Sequence, residues 1–262
     1  TALHPARTAE FMEGLTPDEA WQVLSHADEE VRAEIFAFLH HERQVDIAES
    51  QPRADIAELV AEMAPDDRVD MLKAVDDEIV EEVLPLVPLE ERRDIQRLLN
   101  YPEGTAGSVM TTDVASLSET LTVTEAIDVL HDQLEDLETV YYLYIVDEAN
   151  HLRGLVTFRN MVASIARKRS TQLRDLMETE IMSVNVHDDQ EEVANKVARY
   201  DLLAIPVVDD ERRLVGIITH DDIIDVVREE ATEDAHRIAA VDPLEAGYLS
   251  TSLLTLSWKR GI

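Results

Sequence analysis

Six carboxylates near the end of the chain have the spacing of a metal-binding surface. Asp222, Asp225 and Glu229 lie at i, i+3 and i+7, and Glu230, Glu233 and Asp234 follow at i, i+3 and i+4. On a helix these intervals put each set on one face. Two like charges about 6 Å apart repel by roughly 3 kcal/mol at an effective dielectric near 20, before salt screening. Two such faces therefore resist packing together unless a cation lies between them. A hard divalent ion with oxygen ligands suits them, because it keeps several waters and needs only one or two carboxylates per site.

Other chemistries find less support. The chain has no cysteine, which removes thiol nucleophiles, disulfides and Cys-ligated metals. The histidines His26, His40, His41, His187 and His220 form no His-x-x-x-His or His-Glu-x-x-His arrangement, so catalytic zinc is disfavoured. No glycine-rich phosphate loop occurs and no Ser/His/Asp set stands out among only seven glycines and ordinary hydroxyls. The expectation is a protein that is not an enzyme.

The acids belong to a strongly acidic whole. The 262 residues carry 56 Asp and Glu against 23 Lys and Arg, a formal net charge of −33, split as −17 over residues 1–103 and −16 over 104–262. Such a surface repels nucleic acid and anionic lipid, both of which demand Lys and Arg, so cations are the expected charged partners. The bland alternative stays open. Four lysines against nineteen arginines also suit a general solubility or high-salt adaptation. Apolar residues make up 45% of the chain, enough for buried cores, and the length suits about two domains. The opening Thr1-Ala2-Leu3-His4 has neither the basic leader nor the apolar run of a signal peptide, and no stretch approaches 18 uncharged apolar residues.

The elements that must position the acids can be read from pattern. Over residues 10–100, helix starts recur as a proline in the first turn followed by acids: Thr16-Pro17-Asp18-Glu19, Gln51-Pro52, Ala64-Pro65-Asp66-Asp67 and Val87-Pro88-Leu89-Glu90-Glu91. Between them apolar residues fall at helical spacing, as in Val31, Ile35, Phe38 and Leu39. Units this short are unstable alone and must stack, which predicts an α-superhelical domain.

Past Tyr101-Pro102-Glu103-Gly104 strand-like runs alternate with helical ones: Val140–Val146, Leu152–Thr157, Ala204–Val208 and Leu214–Thr219. An internal repeat emerges. Val109–Val114 matches Leu176–Ile181 at an offset of 67, and Leu152–Thr157 matches Leu214–Thr219 at an offset of 62. Two β-α-β-β-α copies should pack as a pseudo-symmetric unit, and the apolar helical faces at Val193–Val197 and Val123–Leu130 should pair two chains into a homodimer. At the end, Tyr248–Arg260 is short and amphipathic, and its Trp258-Lys259-Arg260 resembles a membrane-interface flank.

The runs Ile205-Pro206-Val207-Val208-Asp209 and Val215-Gly216-Ile217-Ile218-Thr219-His220-Asp221-Asp222 resemble the signature of cystathionine-β-synthase (CBS) domains. Together with Met177, Asp189–Ala194, Tyr200-Asp201 and Glu230-Ala231-Thr232-Glu233-Asp234, the order of parts resembles the MgtE family of magnesium channels. The resemblance implies an α+β multi-domain chain. Residues 1–103 would be the armadillo-like N-terminal domain, 104–170 and 171–228 the tandem CBS pair, and 229–262 a connecting "plug" helix and the start of an absent membrane domain. It implies Mg²⁺ held by Asp222, Asp225, Glu230, Glu233 and Asp234 where CBS domain and plug helix meet. A further ion would lie between the N-terminal and CBS domains at Asp66, with Glu34 and Asp70, and another at Glu191, the backbone carbonyl of Ala198, and Asp201. It also admits ATP or another adenine nucleotide in the CBS cleft at Thr219, Arg159 and Asn160, where Asn160 replaces the usual acid. The chain would then be the cytosolic Mg²⁺ sensor and gate of a transporter in the cell membrane. The alternative is a nucleotide sensor on an unrelated effector.

Overall fold

The computed structural model describes residues 3–133, 137, 139–165 and 170–238, with the side chains of 132, 229 and 233–238 outside that description. Eight short helices come first: α1 (Pro5–Met12), α2 (Pro17–Leu24), α3 (Glu29–Ala37), α4 (His41–Ser50), α5 (Arg53–Glu62), α6 (Pro65–Ala74), α7 (Asp77–Val83) and α8 (Leu89–Leu98). None exceeds ten residues, so each is held by neighbours. The pairing skips one helix each time. α1, α3, α5 and α7 stack in one layer, and α2, α4, α6 and α8 in the other, which winds the chain into a superhelix. Thr16 and Glu19 close a reciprocal capping box with Pro17 at the first helical position, and Pro65 begins α6 in the same way. Pro52 and Pro88 differ from expectation. Each sits one residue earlier, as the N-cap of α5 or α8, where its lost amide again matters little.

The two repeat copies follow: β1 (Val114–Ser118), α9 (Val123–Gln133), β2 (Thr139–Val146), β3 (Leu152–Thr157) and α10 (Phe158–Ile165), then β4 (Val184–Asn185), α11 (Gln190–Tyr200), β5 (Ala204–Val208), β6 (Leu214–Thr219) and α12 (His220–Ile238). Each sheet has a parallel pair followed by an antiparallel hairpin. Helix α12 is continuous. It passes without a break through residue 228, so the acids at 222–225 and 229–234 ride on one helix rather than on two successive ones.

The copies complete each other by exchange. Thr111, at the head of the first copy, trades both backbone hydrogen bonds with Ile217 of the second, each 2.9 Å long. Glu178, at the head of the second, does the same with Leu155 of the first at 2.9 and 3.0 Å. This explains the glycine of each hydrophobic–Gly–hydrophobic run. A Cβ on Gly216 would lie 2.5 Å from the Thr111 carbonyl oxygen, and one on Gly154 the same distance from that of Glu178. A third apolar cluster, including Tyr144, Leu152, Ala204, Leu214 and Ile217, seals the two sheets together.

The N-terminal superhelix is bound to the second copy. One apolar core runs from Met12 through Ile56 and Leu98 into Val184, Val193, Ile205, Ile218 and Val226. The connecting strap is pinned by backbone bonds from Ala106 to Asp188 (2.7 Å), Gly107 to Val186 (2.9 Å) and Gln190 to Gly104 (2.9 Å). Thr112 Oγ1 donates to Asp94 of α8 at 2.7 Å. Val123, Leu130, Val193 and Val197, expected to pair two chains, are instead buried in the cores of this one. The apolar residues left exposed on the CBS helices include Phe158, Val162, Ile224 and Val227.

Gly216→Ala or Gly154→Ala should destabilise the chain by about 2 kcal/mol or more, since backbone must move to admit the methyl group. Gly14→Ala, which meets nothing within 4 Å, should change stability by less than about 1 kcal/mol. Urea unfolding of the three variants measures the contrast.

Candidate functional site

Two helix N-termini face each other across the domain boundary. On one side Ala64 caps α6, Pro65 starts it, and Asp66 and Asp67 occupy its first turn. On the other, β6 ends at Thr219, whose backbone N–H donates to Asp222 Oδ2 at 2.8 Å while its hydroxyl donates to the same carboxylate. These acids have a local reason, since carboxylates in a first turn suit the helix dipole and Asp222 helps cap α12. The tertiary fold then adds a second constraint. The Asp222 carboxyl also lies close to that of Asp66 across the boundary, so two acids face each other there.

The electrostatics follow from this crowding. Burial pushes the Asp222 carboxyl above the usual range, against the lowering effect of its Thr219 hydrogen bonds. Asp67 is exposed at the surface, yet crowding by protein and then the charges of Asp222, Asp70, Asp221 and Asp225 push its carboxyl up to about 6. Burial also raises Asp70, while Lys73, 3.4 Å away, pulls it back. Asp225 has a cation of its own, with Arg228 Nη1 at 3.1 Å.

The structure thus brings Asp66, Asp70, Asp222 and Asp225 to one junction, and adds Asp67 and Asp221, which sequence reasoning passed over. The doublets Asp66-Asp67 and Asp221-Asp222 were the signal that could have found them. Glu34 lies exposed on α3. Glu230 lines a second place, a cavity of about 230 Å³ between α11 and α12 with Glu191, Ala194, Asn195, Val227 and Ala231. Glu191 stands in the first turn of α11 and Asp201 follows its last residue, about 15 Å apart along the helix axis. They therefore do not converge with Ala198 on one ion within a chain. The Glu233 and Asp234 side chains fall outside the described residues. Thr219 is buried, its hydroxyl engaged by Asp221 and Asp222, rather than open to a ribose. Arg159 and Asn160 are exposed at the start of α10.

Comparison with known proteins agrees with this layout. Residues 3–104 match the model of the MgtE intracellular N domain, and 106–167 and 173–229 match the CBS domain model. The crystal structure of the soluble part of a magnesium transporter superposes with a TM-score of 0.81 at 35% identity, covering 87% of this chain and 89% of that one. The chain belongs to the MgtE family. The crystal structure of the cytosolic domain of the Mg²⁺ channel MgtE in complex with ATP superposes at 0.79 with 32% identity, covering 86% and 90%. The magnesium transporter MgtE of Thermus thermophilus is 33% identical over 98% of this chain and 58% of its own length. That of Enterococcus faecalis is 42% identical over 58% of this chain and 33% of its own. The chain thus spans little more than half of these relatives at most.

Does the MgtE junction fit Mg²⁺? Every side-chain donor among these acids is an oxygen, as a hard ion demands, and burial together with neighbouring acids raises the carboxyls of Asp67 and Asp222. Among the described residues no group of three or more His, Cys, Asp or Glu is placed to hold a metal ion.

At Asp67 the sign of the pH dependence is determined. Between its ordinary value of 3.8 and about 6, the folded chain holds a proton that the unfolded chain has released. Its contribution to stability therefore falls as pH rises through that window. Asp67→Asn should remove this slope and stabilise the chelator-treated protein at pH 7 by about 1 kcal/mol, a figure discounted for the solvent that reaches the group. Thermal unfolding of variant and parent at pH 4.5 and 7 tests it.

Proposed function

We propose that this chain is the Mg²⁺-sensing and gating module of an MgtE-type magnesium transporter. It would lie on the cytoplasmic side of the cell membrane, attached to its own transmembrane domain, and work as a homodimer through the CBS helices. The observation that carries the reading is the acid-on-acid contact of Asp66 with Asp222 between the two domains. Bound Mg²⁺ supplies the positive charge that such a contact needs. Asp66, Asp67 and Asp70 present one acidic face, and Asp221, Asp222 and Asp225 the other. With the cation present these faces hold the N-terminal superhelix closed on the second CBS copy. Without it their mutual repulsion, about 3 kcal/mol per close pair at an effective dielectric near 20, favours separation. The preference for closure arises because the closed arrangement alone offers oxygens from both sides, so the ion binds it better. Glu230, with Glu233 and Asp234, would link the same response to the far part of α12, which leads toward the membrane domain. The role is regulatory and non-enzymatic.

A second reading has one support. A relative's cytosolic domain is known in complex with ATP, and Arg159 and Asn160 stand open at the first copy's cleft. An adenine nucleotide would meet Arg159 through its phosphates. The buried Thr219 hydroxyl would have to leave Asp222 to take part.

Millimolar Mg²⁺ should protect the interdomain junction from proteolysis, whereas NaCl of equal ionic strength should do much less. Asp222→Ala combined with Asp225→Ala should raise the Mg²⁺ concentration for half-protection by roughly tenfold or more. In a complete transporter the same changes should leave the channel open at Mg²⁺ levels that otherwise close it. Equal protection by both salts would show screening alone, and protection by ATP but not Mg²⁺ would favour the nucleotide reading.

The exposed Val162 and Ile224 occupy equivalent positions on α10 and α12 of the two copies, as a symmetric contact between chains would use. Light scattering should give about twice the 29.6 kDa chain mass. Val162→Asp with Ile224→Asp should return it to the monomer.

A further inference from the structure

We infer that Gln190 is a positioning residue for the Glu230 carboxylate, and that it ties this part of α12 to the strap joining the two domains. The inference rests on the Mg²⁺-sensing reading above and adds to it a group that is not itself a ligand. Gln190 is the first residue of α11, directly after the N-cap Asp189. Its backbone N–H donates to the carbonyl of Gly104 at 2.9 Å, in the strap that leaves the N-terminal domain. Its side-chain Nε2 donates to Glu230 Oε1 at 2.9 Å, forty residues on. Only the amide nitrogen of a glutamine can face an ionised carboxylate, so the orientation of the side chain is defined.

The chemistry of this donor is specific. Asp225 and Asp70 are held by cations, Arg228 and Lys73, which compete with a bound metal for the same charge. Gln190 is neutral. It fixes the Glu230 rotamer through one oxygen and leaves the full negative charge, with the remaining lone pairs free for a ligand. Glu230 shares the roughly 230 Å³ cavity between α11 and α12 with Glu191, the neighbour of Gln190 in sequence. One residue thus orients the α12 acid of that cavity while its own backbone is fastened to the interdomain strap. Groups that orient a ligand in this way commonly change metal affinity by ten- to a hundredfold when removed, although they never touch the ion.

The test uses the 262-residue chain with Mg²⁺ as the titrant, and reads the midpoint of protease protection together with the unfolding temperature in chelator. Gln190→Met keeps length and helix propensity but has no donor. Gln190→Asn keeps the amide but is one methylene too short to reach Glu230, and it carries the test if the Met variant fails to fold. Either change should raise the Mg²⁺ midpoint roughly tenfold with the unfolding temperature in chelator unchanged. In a Glu230→Gln background the same change should shift the midpoint no further, because the group being oriented is gone. A lowered unfolding temperature with an unmoved midpoint would make Gln190 a structural tie only and overturn the inference. So would an undiminished shift in the Glu230→Gln background. If Glu230→Gln alone leaves the midpoint in place, the fault lies with Glu230 as a ligand, and the sensing reading of that cavity falls first.

Discussion

The geometry of this molecule depends on a close approach of backbone between two halves that neither could complete alone. Thr111 and Glu178 each leave their own repeat to pair with the other's hairpin, and Gly216 and Gly154 make room for them. A Cβ at either glycine would collide with a carbonyl oxygen, so the two CBS copies are fixed as one body. A continuous apolar core and a hydrogen-bonded strap join that body to the superhelix in this arrangement. The N-terminus of α12 is thereby brought to the N-terminus of α6.

What meets there is unfavourable in charge. Six aspartates from two domains lie near one another, and among the described residues Lys73 and Arg228 pair with Asp70 and Asp225. Elsewhere the acidity is ordinary surface, solvated and partly paired, as in Arg53 with Glu82 and Arg213 with Asp209. The junction differs because packing removes water from one side of the acids and places like charges on the other. A proton or a divalent ion relieves the same strain, so the proton uptake at Asp67 and the proposed Mg²⁺ response are two expressions of one interaction.

Much of the fold was legible in the order of residues. The four strands expected at Val140–Val146, Leu152–Thr157, Ala204–Val208 and Leu214–Thr219 appear with nearly the same ends, since β-branched runs bounded by turn residues have few other uses. The capping box at Thr16 and the proline start at Pro65 were readable for the same local reason. The helical faces expected to pair two chains lie in the cores of this one. Val193 and Val123 satisfy helical periodicity whether they face their own core or a partner, and periodicity does not say which.

By itself the sequence determined the local elements, the internal repeat and the acidic character, because these depend on spacing along the chain and on charge. Helical intervals also marked Asp222 and Asp225 as candidates, and the family resemblance marked Asp66. Only the tertiary structure decided which acids share a site. Asp67 and Asp221 join because α6 and α12 meet end to end, Glu34 stays on an open helix face, and Glu191 and Asp201 are held apart by the length of α11. Electrostatic coupling falls with distance through space and rises with burial, and neither quantity is written in the order of residues.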